Sequence, residues 1–128
     1  MTDETTVVPL QRSLFTADPS HPQALLSHGE LTAAAARYPS GVETLVMTSS
    51  RVRLEILPFM GQILWDAVVD GVSLRMDNMF RQPLPAKEIT QTYGCFAFHS
   101  GLLSAGCPAP EDTHPLHGEL SCAPMDAA

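Results

Sequence analysis

The sequence predicts an all-β protein, an antiparallel β-sandwich preceded by a short helical arm. Apolar and polar residues alternate from Val42 to Thr48 and again from Arg51 to Ile56, as in strands with one buried face. The run QILWDAVV, residues 62–69, is almost continuously apolar, which is typical of a strand covered on both faces. Asp70-Gly71 follows that run directly and is a strong signal for a tight turn between antiparallel strands.

The change of pattern near residue 40 divides the chain into an arm, residues 1–40, and a sandwich, residues 41–128. The first twenty residues are polar and irregular. Ser20-His21-Pro22 is typical of the beginning of a helix, and the apolar pair Leu25-Leu26 then predicts a short one. A second short helix is predicted over Leu31–Arg37, with a narrow apolar face that caps the larger body.

The sandwich is predicted to begin with a meander. Ser49-Ser50 joins the first two strands as a hairpin, and a strand from Val72 to Met76 completes four antiparallel strands between Gly41 and Met76. Two more strands are predicted later in the chain, Tyr93–Leu103 and Leu116–Cys122. A proline-rich loop separates them.

Charge and composition argue against several classes of function. The 128 residues include seven Lys+Arg and fourteen Asp+Glu, a net charge of −7, without a basic cluster. Neither nucleic acid nor an anionic membrane is therefore expected as a partner. The N-terminus lacks the pattern of a signal peptide, and no apolar run approaches the roughly 20 residues of a spanning helix. Three cysteines without a Cys-x-x-Cys pair predict reduced, buried thiols in a cytoplasmic protein.

The pair His117 and Glu119 is the first candidate for chemistry. On a strand these two side chains would project to the same face, where they could act as acid and base near neutral pH. Gly118 between them has no side chain, so another backbone or a ligand can approach closely. The structural alternative is a solvated carboxylate beside a hydrogen-bonded histidine.

Other side chains offer weaker alternatives. The histidines His99, His114 and His117 could together bind a metal, but the last two lie across a proline and no recognised zinc pattern is present. Arg75 and Arg81 could hydrogen-bond a polyhydroxylated ligand through their guanidinium forks, or serve as ordinary surface charges. Trp65 could stack on a sugar, but its apolar strand favours a place in the core.

Two segments resemble the aldose 1-epimerase (galactose mutarotase-like) superfamily. They are LPFMGQILWDAVVDGVSL, residues 57–74, and TYGCFAFHSGLLSAGCPAPEDTHPLHGEL, residues 92–120, in which Leu116-His117-Gly118 is the more specific motif. More narrowly, the chain resembles a bacterial aldose-epimerase-like branch catalogued as a domain of unknown function. The resemblance covers about Gly41 to Pro124. It implies a galactose mutarotase-like supersandwich, incomplete here, with His117 in a sugar site on a concave face and with no cofactor.

The resemblance also implies a reaction, the interconversion of sugar anomers by acid/base ring opening. His117 and Glu119 are its candidate catalytic residues, and His99, Arg81 and His114 are candidates for binding the sugar. The second histidine and the late glutamate of the family have no counterpart here, so weak or absent activity is expected of this chain alone. The missing strands would come from a second copy or from the missing C-terminal part.

Three other interpretations stay open at this point. One is a carbohydrate-binding module without chemistry. Another is a metal-dependent sugar isomerase that uses His99, His114 and His117. The last is a truncated product without a function of its own.

Overall fold

Six strands form one antiparallel sheet, and they lie in the sheet in the order of the sequence. The computed structural model describes residues 5–128. The all-β class is confirmed. The predicted meander is present, with its turns at Ser49-Ser50 and Asp70-Gly71, but its last strand ends at Ser73 and does not reach Met76. The strands are β1 Gln23–His28, β2 Leu31–Arg37, β3 Glu43–Thr48, β4 Val52–Leu57, β5 Ile63–Val69 and β6 Val72–Ser73.

Helix is limited to two short 3-10 turns in the described residues, Arg12–Leu14 and Ile89–Gln91. Neither helical turn is of a length or character that could cross a bilayer.

The two predicted helices of the arm are wrong, because both segments are strands. Leu25-Leu26 lies in β1. The run of four alanines at positions 33–36 lies in β2, where Ala35 is paired with Leu45 of β3. Helix propensity is a weak preference, and backbone pairing on both sides of β2 overrides it. The sheet therefore continues across the boundary predicted at residue 40.

The predicted strands Tyr93–Leu103 and Leu116–Cys122 are also wrong. Residues 74–128 form a long irregular segment, here called the C-terminal segment, that meets the preceding chain through two isolated bridges, Leu64 with Ala97 and Met60 with Pro124. Its backbone repeatedly adopts positive φ, including at His117 and Leu102, and such residues cannot continue a strand. Within residues 5–128 there is no second sheet.

The sheet has two faces with different covers. Residues directly opposite on neighbouring strands share a face, so Ala35, Leu45, Ile56 and Leu64 define what we call the arm face. Phe15 of the arm packs there against Ala35 and against Phe59, whose ring centroid is 5.4 Å away.

The opposite face, called the loop face, carries the larger apolar core. Leu57, Ile63 and Trp65 pack there against three buried residues of the C-terminal segment, Ile89, Cys95 and Cys122. Trp65 is the extra residue of a bulge in β5 and is only 1% exposed, which confirms the prediction that it belongs to the core. The same two faces fix the surroundings of the candidate site.

Candidate functional site

The Leu-His-Gly motif forms a tight turn in the C-terminal segment. The backbone N–H of His117 donates to the carbonyl of Gly106 at 2.8 Å, and its carbonyl accepts from the N–H of Gly101 at 2.8 Å. A Cβ atom on Gly118 would collide with the carbonyl oxygen of Ser104 and with the backbone of Gly101. The predicted close approach of another backbone at Gly118 is thus confirmed.

The ring of His117 packs against Phe98. The two ring centroids are 5.5 Å apart, and the imidazole is half-buried. Phe98 in turn contacts the core of the loop face, so His117 lies on the outer side of that core. This places the histidine of the motif on the loop-face side of the molecule.

Glu119 binds backbone and does not bind His117. Its Oε2 accepts hydrogen bonds from the N–H groups of Leu103 and Ser104 at 3.0 and 3.1 Å. Desolvation raises the pKa of Glu119, but hydrogen bonds from its own backbone, from Ser104 and from Leu103 outweigh it and hold the pKa below its ordinary value. Glu119 is thus an ionised carboxylate that ties two loops together, and no strand places it beside the imidazole.

Within residues 5–128, none of the remaining predicted site residues hydrogen-bonds to the side chain of His117 or Glu119. His99 is exposed and borders a groove on the arm face with Gln62 and Leu64, away from the loop-face core next to His117. The Nδ1 atom of His114 is 2.9 Å from the carbonyl of Pro115, and Arg81 is exposed. Across residues 5–128 no group of three or more His, Cys, Asp or Glu side chains could hold a metal ion.

A cleft of about 440 Å³ lies at the end of the sheet where β3 begins and β4 ends. Glu119 is the one residue of the predicted site that lines it. Three further charged residues line it with Glu119, namely Arg12, Glu43 and Lys87. Its other walls are glycine or apolar residues, namely Gly41, Val42, Phe59, Met60, Pro85, Ala86, Cys122, Ala123 and Pro124.

Glu43 is the buried charge of this cleft. The residue is 8% exposed, and its Oε1 accepts from the guanidinium groups of Arg12 at 2.9 Å and Arg37 at 3.4 Å. The guanidinium of Arg12 also lies 4.3 Å from the ring centroid of Phe59. The second oxygen of Glu43, Oε2, has no hydrogen-bond partner in the described chain and keeps some contact with solvent.

Lys87 lies at the rim on a fixed backbone and is exposed. Its N–H donates to Oε1 of Gln91 at 2.9 Å, within a capping box that Glu88 and Gln91 form around the 3-10 turn. Ile89 in that turn is 1% exposed, which anchors the segment in the core. The ammonium group makes no ion pair with any residue that the structure describes.

A group of polar side chains around Glu55, on the loop face, makes its hydrogen bonds within the group. Glu55 is 4% exposed and accepts from the hydroxyl groups of Tyr38 and Thr44 and from the guanidinium of Arg53. Burial, followed by the hydrogen bond to Glu55, raises the pKa of Tyr38 well above its ordinary value. Because Glu55 has all these partners already, the cluster stabilises the sheet and offers a ligand less than the cleft does.

Sequence reasoning missed Arg12, Glu43 and Lys87. Arg12 and Glu43 are 31 positions apart and meet only in the folded chain. Lys87 carried a signal that could have found it, because it is the only lysine in the sequence.

Comparison of the chain with protein-family models, with curated proteins and with solved structures finds no match.

Proposed function

We propose that this protein binds a carbohydrate in the cleft between Arg12 and Lys87. The observation that carries the proposal is the arrangement of four charged groups around apolar walls in a cavity of about 440 Å³. Ligand sites in proteins commonly have volumes of about 300–1,000 Å³ and combine apolar walls with a few fixed polar groups. A monosaccharide has the matching character, since its hydroxyl groups lie around carbon–hydrogen faces.

The hydrogen-bonding groups of the cleft support a polyhydroxylated ligand. Within residues 5–128, the Oε2 atom of Glu43 is an acceptor without a partner, and the ammonium group of Lys87 has no carboxylate partner. A hydroxyl group both donates and accepts, so neighbouring hydroxyls of one ring can satisfy both kinds of group. Met60 and Pro85 supply apolar contact for the rest of the ring.

The orientation of Glu43 is fixed before a ligand arrives. Two guanidinium groups hold its Oε1, so Oε2 needs little reorganisation to accept a hydrogen bond from a hydroxyl group. Such preorganisation lowers the entropic cost of binding. The resemblance of the sequence to aldose 1-epimerases agrees with a sugar as the ligand.

We prefer binding without turnover to anomer interconversion. Ring opening needs a base for the anomeric hydroxyl and an acid for the ring oxygen. Glu119 has a lowered pKa and two backbone hydrogen bonds, which make it a weak base. His117 does not line the cleft. A metal-dependent isomerase gains no support from His99, His114 and His117, which form no metal-binding group among the described residues.

The test is calorimetric titration of the 128-residue chain with a panel of free aldoses, together with backbone NMR. We expect millimolar to micromolar binding, with chemical-shift changes at Gly41, Met60 and Ala86. Glu43→Gln should weaken the affinity about tenfold, since charged hydrogen bonds contribute about 1.5–3 kcal/mol. Asp70→Asn, which alters an exposed ion pair at the β5–β6 turn, is the matched control and should not change it.

Two results would overturn the proposal. One is the absence of both heat and shift changes across the whole panel. The other is binding whose shift changes map to the loop face near Glu55 and leave the cleft unaffected. Circular dichroism of Glu43→Gln at the titration temperature separates loss of binding from loss of fold.

A further inference from the structure

Lys87 is the only lysine of the chain, and it lines the cleft. The chain has a net charge of −7 and only seven Lys+Arg residues. A cation at the rim of a cavity therefore makes the local electrostatic potential differ from that of the acidic remainder of the chain. The backbone of Lys87 is fixed by Gln91 and by the buried Ile89, whereas its ammonium group extends without a carboxylate partner in residues 5–128. The backbone of Lys87 therefore has a fixed position, and its ammonium charge is unpaired within the described residues.

Neither carboxylate of the cleft forms an ion pair with Lys87 within residues 5–128. Glu43 is already paired with Arg12 and Arg37, two cations for one anion. Glu119 accepts hydrogen bonds from two backbone N–H groups, which stabilise its negative charge. The charged residues that line the cleft are two cations, Arg12 and Lys87, and two carboxylates, and of the two cations only Lys87 has no ion pair among residues 5–128.

We propose that the cleft selects a sugar that carries one anionic group, a sugar phosphate or a uronic acid, and that the anion binds Lys87. This inference rests on the proposed carbohydrate function and adds the class of sugar. The hydroxyl groups of the ring bind Glu43, and the anion lies at the rim, where solvent covers the rest of its charge. An ammonium group suits this role because it is a compact charge with three donors that adapts to either anion.

The experiment compares four probes on the same chain, namely glucose, glucuronate, glucose-6-phosphate and inorganic phosphate. We expect one of the two charged sugars to bind about tenfold more tightly than glucose, and its advantage to shrink as salt is added. Lys87→Met should lower the affinity for that sugar about five- to tenfold and the affinity for glucose by a smaller factor, so that the preference for the charged sugar is lost. Lys87→Arg keeps the charge and should retain most of the advantage. Because Lys87 is exposed, neither variant should disturb the fold.

A second readout does not depend on variants. Reductive methylation with isotope-labelled formaldehyde marks Lys87 and the terminal amine alone, because the chain has no other lysine. The Lys87 methyl signal should shift further on saturation with the charged sugar than on saturation with glucose. This signal reports contact at the ammonium group directly.

The outcomes separate this inference from the function beneath it. Equal affinity for glucose and both charged sugars, or unchanged selectivity in Lys87→Met, would overturn the role of Lys87 and leave the sugar site intact. Inorganic phosphate that binds as tightly as glucose-6-phosphate would contradict both, because the sugar ring would then contribute nothing. Failure of all four probes would reject the selectivity for a charged sugar, and failure of the whole aldose panel as well would reject the carbohydrate site.

Discussion

The guanidinium of Arg12 donates a hydrogen bond to Oε1 of Glu43 at 2.9 Å, although 31 residues separate them in the chain. Glu43 is the first residue of β3. Arg12 lies in the segment before β1 that covers the arm face. Arg12 also donates to the carbonyl of Met125 at 3.3 Å. The side chain of Arg12 thus connects the segment before β1 with the sheet and with the C-terminal segment at one wall of the cleft.

Replacing Glu43 by glutamine should destabilise the fold moderately. The charge partner of two guanidinium groups is lost, although an amide oxygen can still accept a hydrogen bond. Arg12 is half-exposed, so we expect a loss of only about 1 kcal/mol in the free energy of unfolding. Urea unfolding measures it. Asp70→Asn, in the solvent-exposed pair with Arg51, should leave the urea midpoint unchanged, and an equal loss there would show that burial of Glu43 is irrelevant.

Gly118→Ala should strongly destabilise the C-terminal segment. The residue has φ of 86°, and its new Cβ would collide with backbone atoms of Ser104 and Gly101. We expect a loss of about 2–4 kcal/mol, since backbone atoms cannot move aside cheaply. Gly29→Ala is the matched control, with φ of 58° and no atom within 4 Å of the added Cβ. It should cost about 1 kcal/mol, and equal losses in urea would contradict the packing argument.

Glu119 should contribute a pH-dependent part of the stability. Its pKa is lowered in the folded chain, so its contribution is fully present above the ordinary glutamate pKa of about 4.3 and is lost as the pH falls through the lowered folded value. In Glu119→Gln the melting temperature should therefore fall less between pH 6 and pH 3 than in the unchanged chain. The lowered pKa values of Asp18 and Asp70 remain in both proteins as a common background. Parallel melting curves across this range would show that Glu119 has no such role.

The three thiols should react at very different rates. Cys107 is exposed, which contradicts its predicted burial, whereas Cys95 and Cys122 are 3% and 4% exposed, as predicted. Burial, followed by the nearby Cys95 and Glu88, raises the pKa of Cys122 to about 11, and burial also raises that of Cys95. A two-unit rise lowers the thiolate fraction of Cys122 about a hundredfold. A thiol reagent at neutral pH should thus label one group quickly, and Cys107→Ser should remove that phase. Two or three fast thiols would contradict the buried core.

The sequence by itself determined the meander and its turns. Alternation over Val42–Thr48 places successive side chains on opposite faces, and Asp70-Gly71 adopts the positive φ angles that a two-residue hairpin turn needs. These are local properties, since a few neighbouring residues suffice to express them. The burial of Trp65 followed in the same way from the apolar character of its own strand.

Three features depended on the tertiary structure alone. They are the strand conformation of the alanines at positions 33–36, the irregular backbone of the C-terminal segment and the set of residues that line the cleft. Ala35 is in a strand because β1 and β3 pair with β2 on both sides, a condition that local propensity does not contain. The spacing of Glu119 and His117 predicted that the two side chains lie together. In the structure the backbone at Leu103 and Ser104 folds back onto Glu119, and their N–H groups donate to its carboxylate. Arg12 and Glu43 meet across 31 residues of chain. Contacts of that kind depend on the path of the whole backbone, and a short window of sequence therefore cannot specify them.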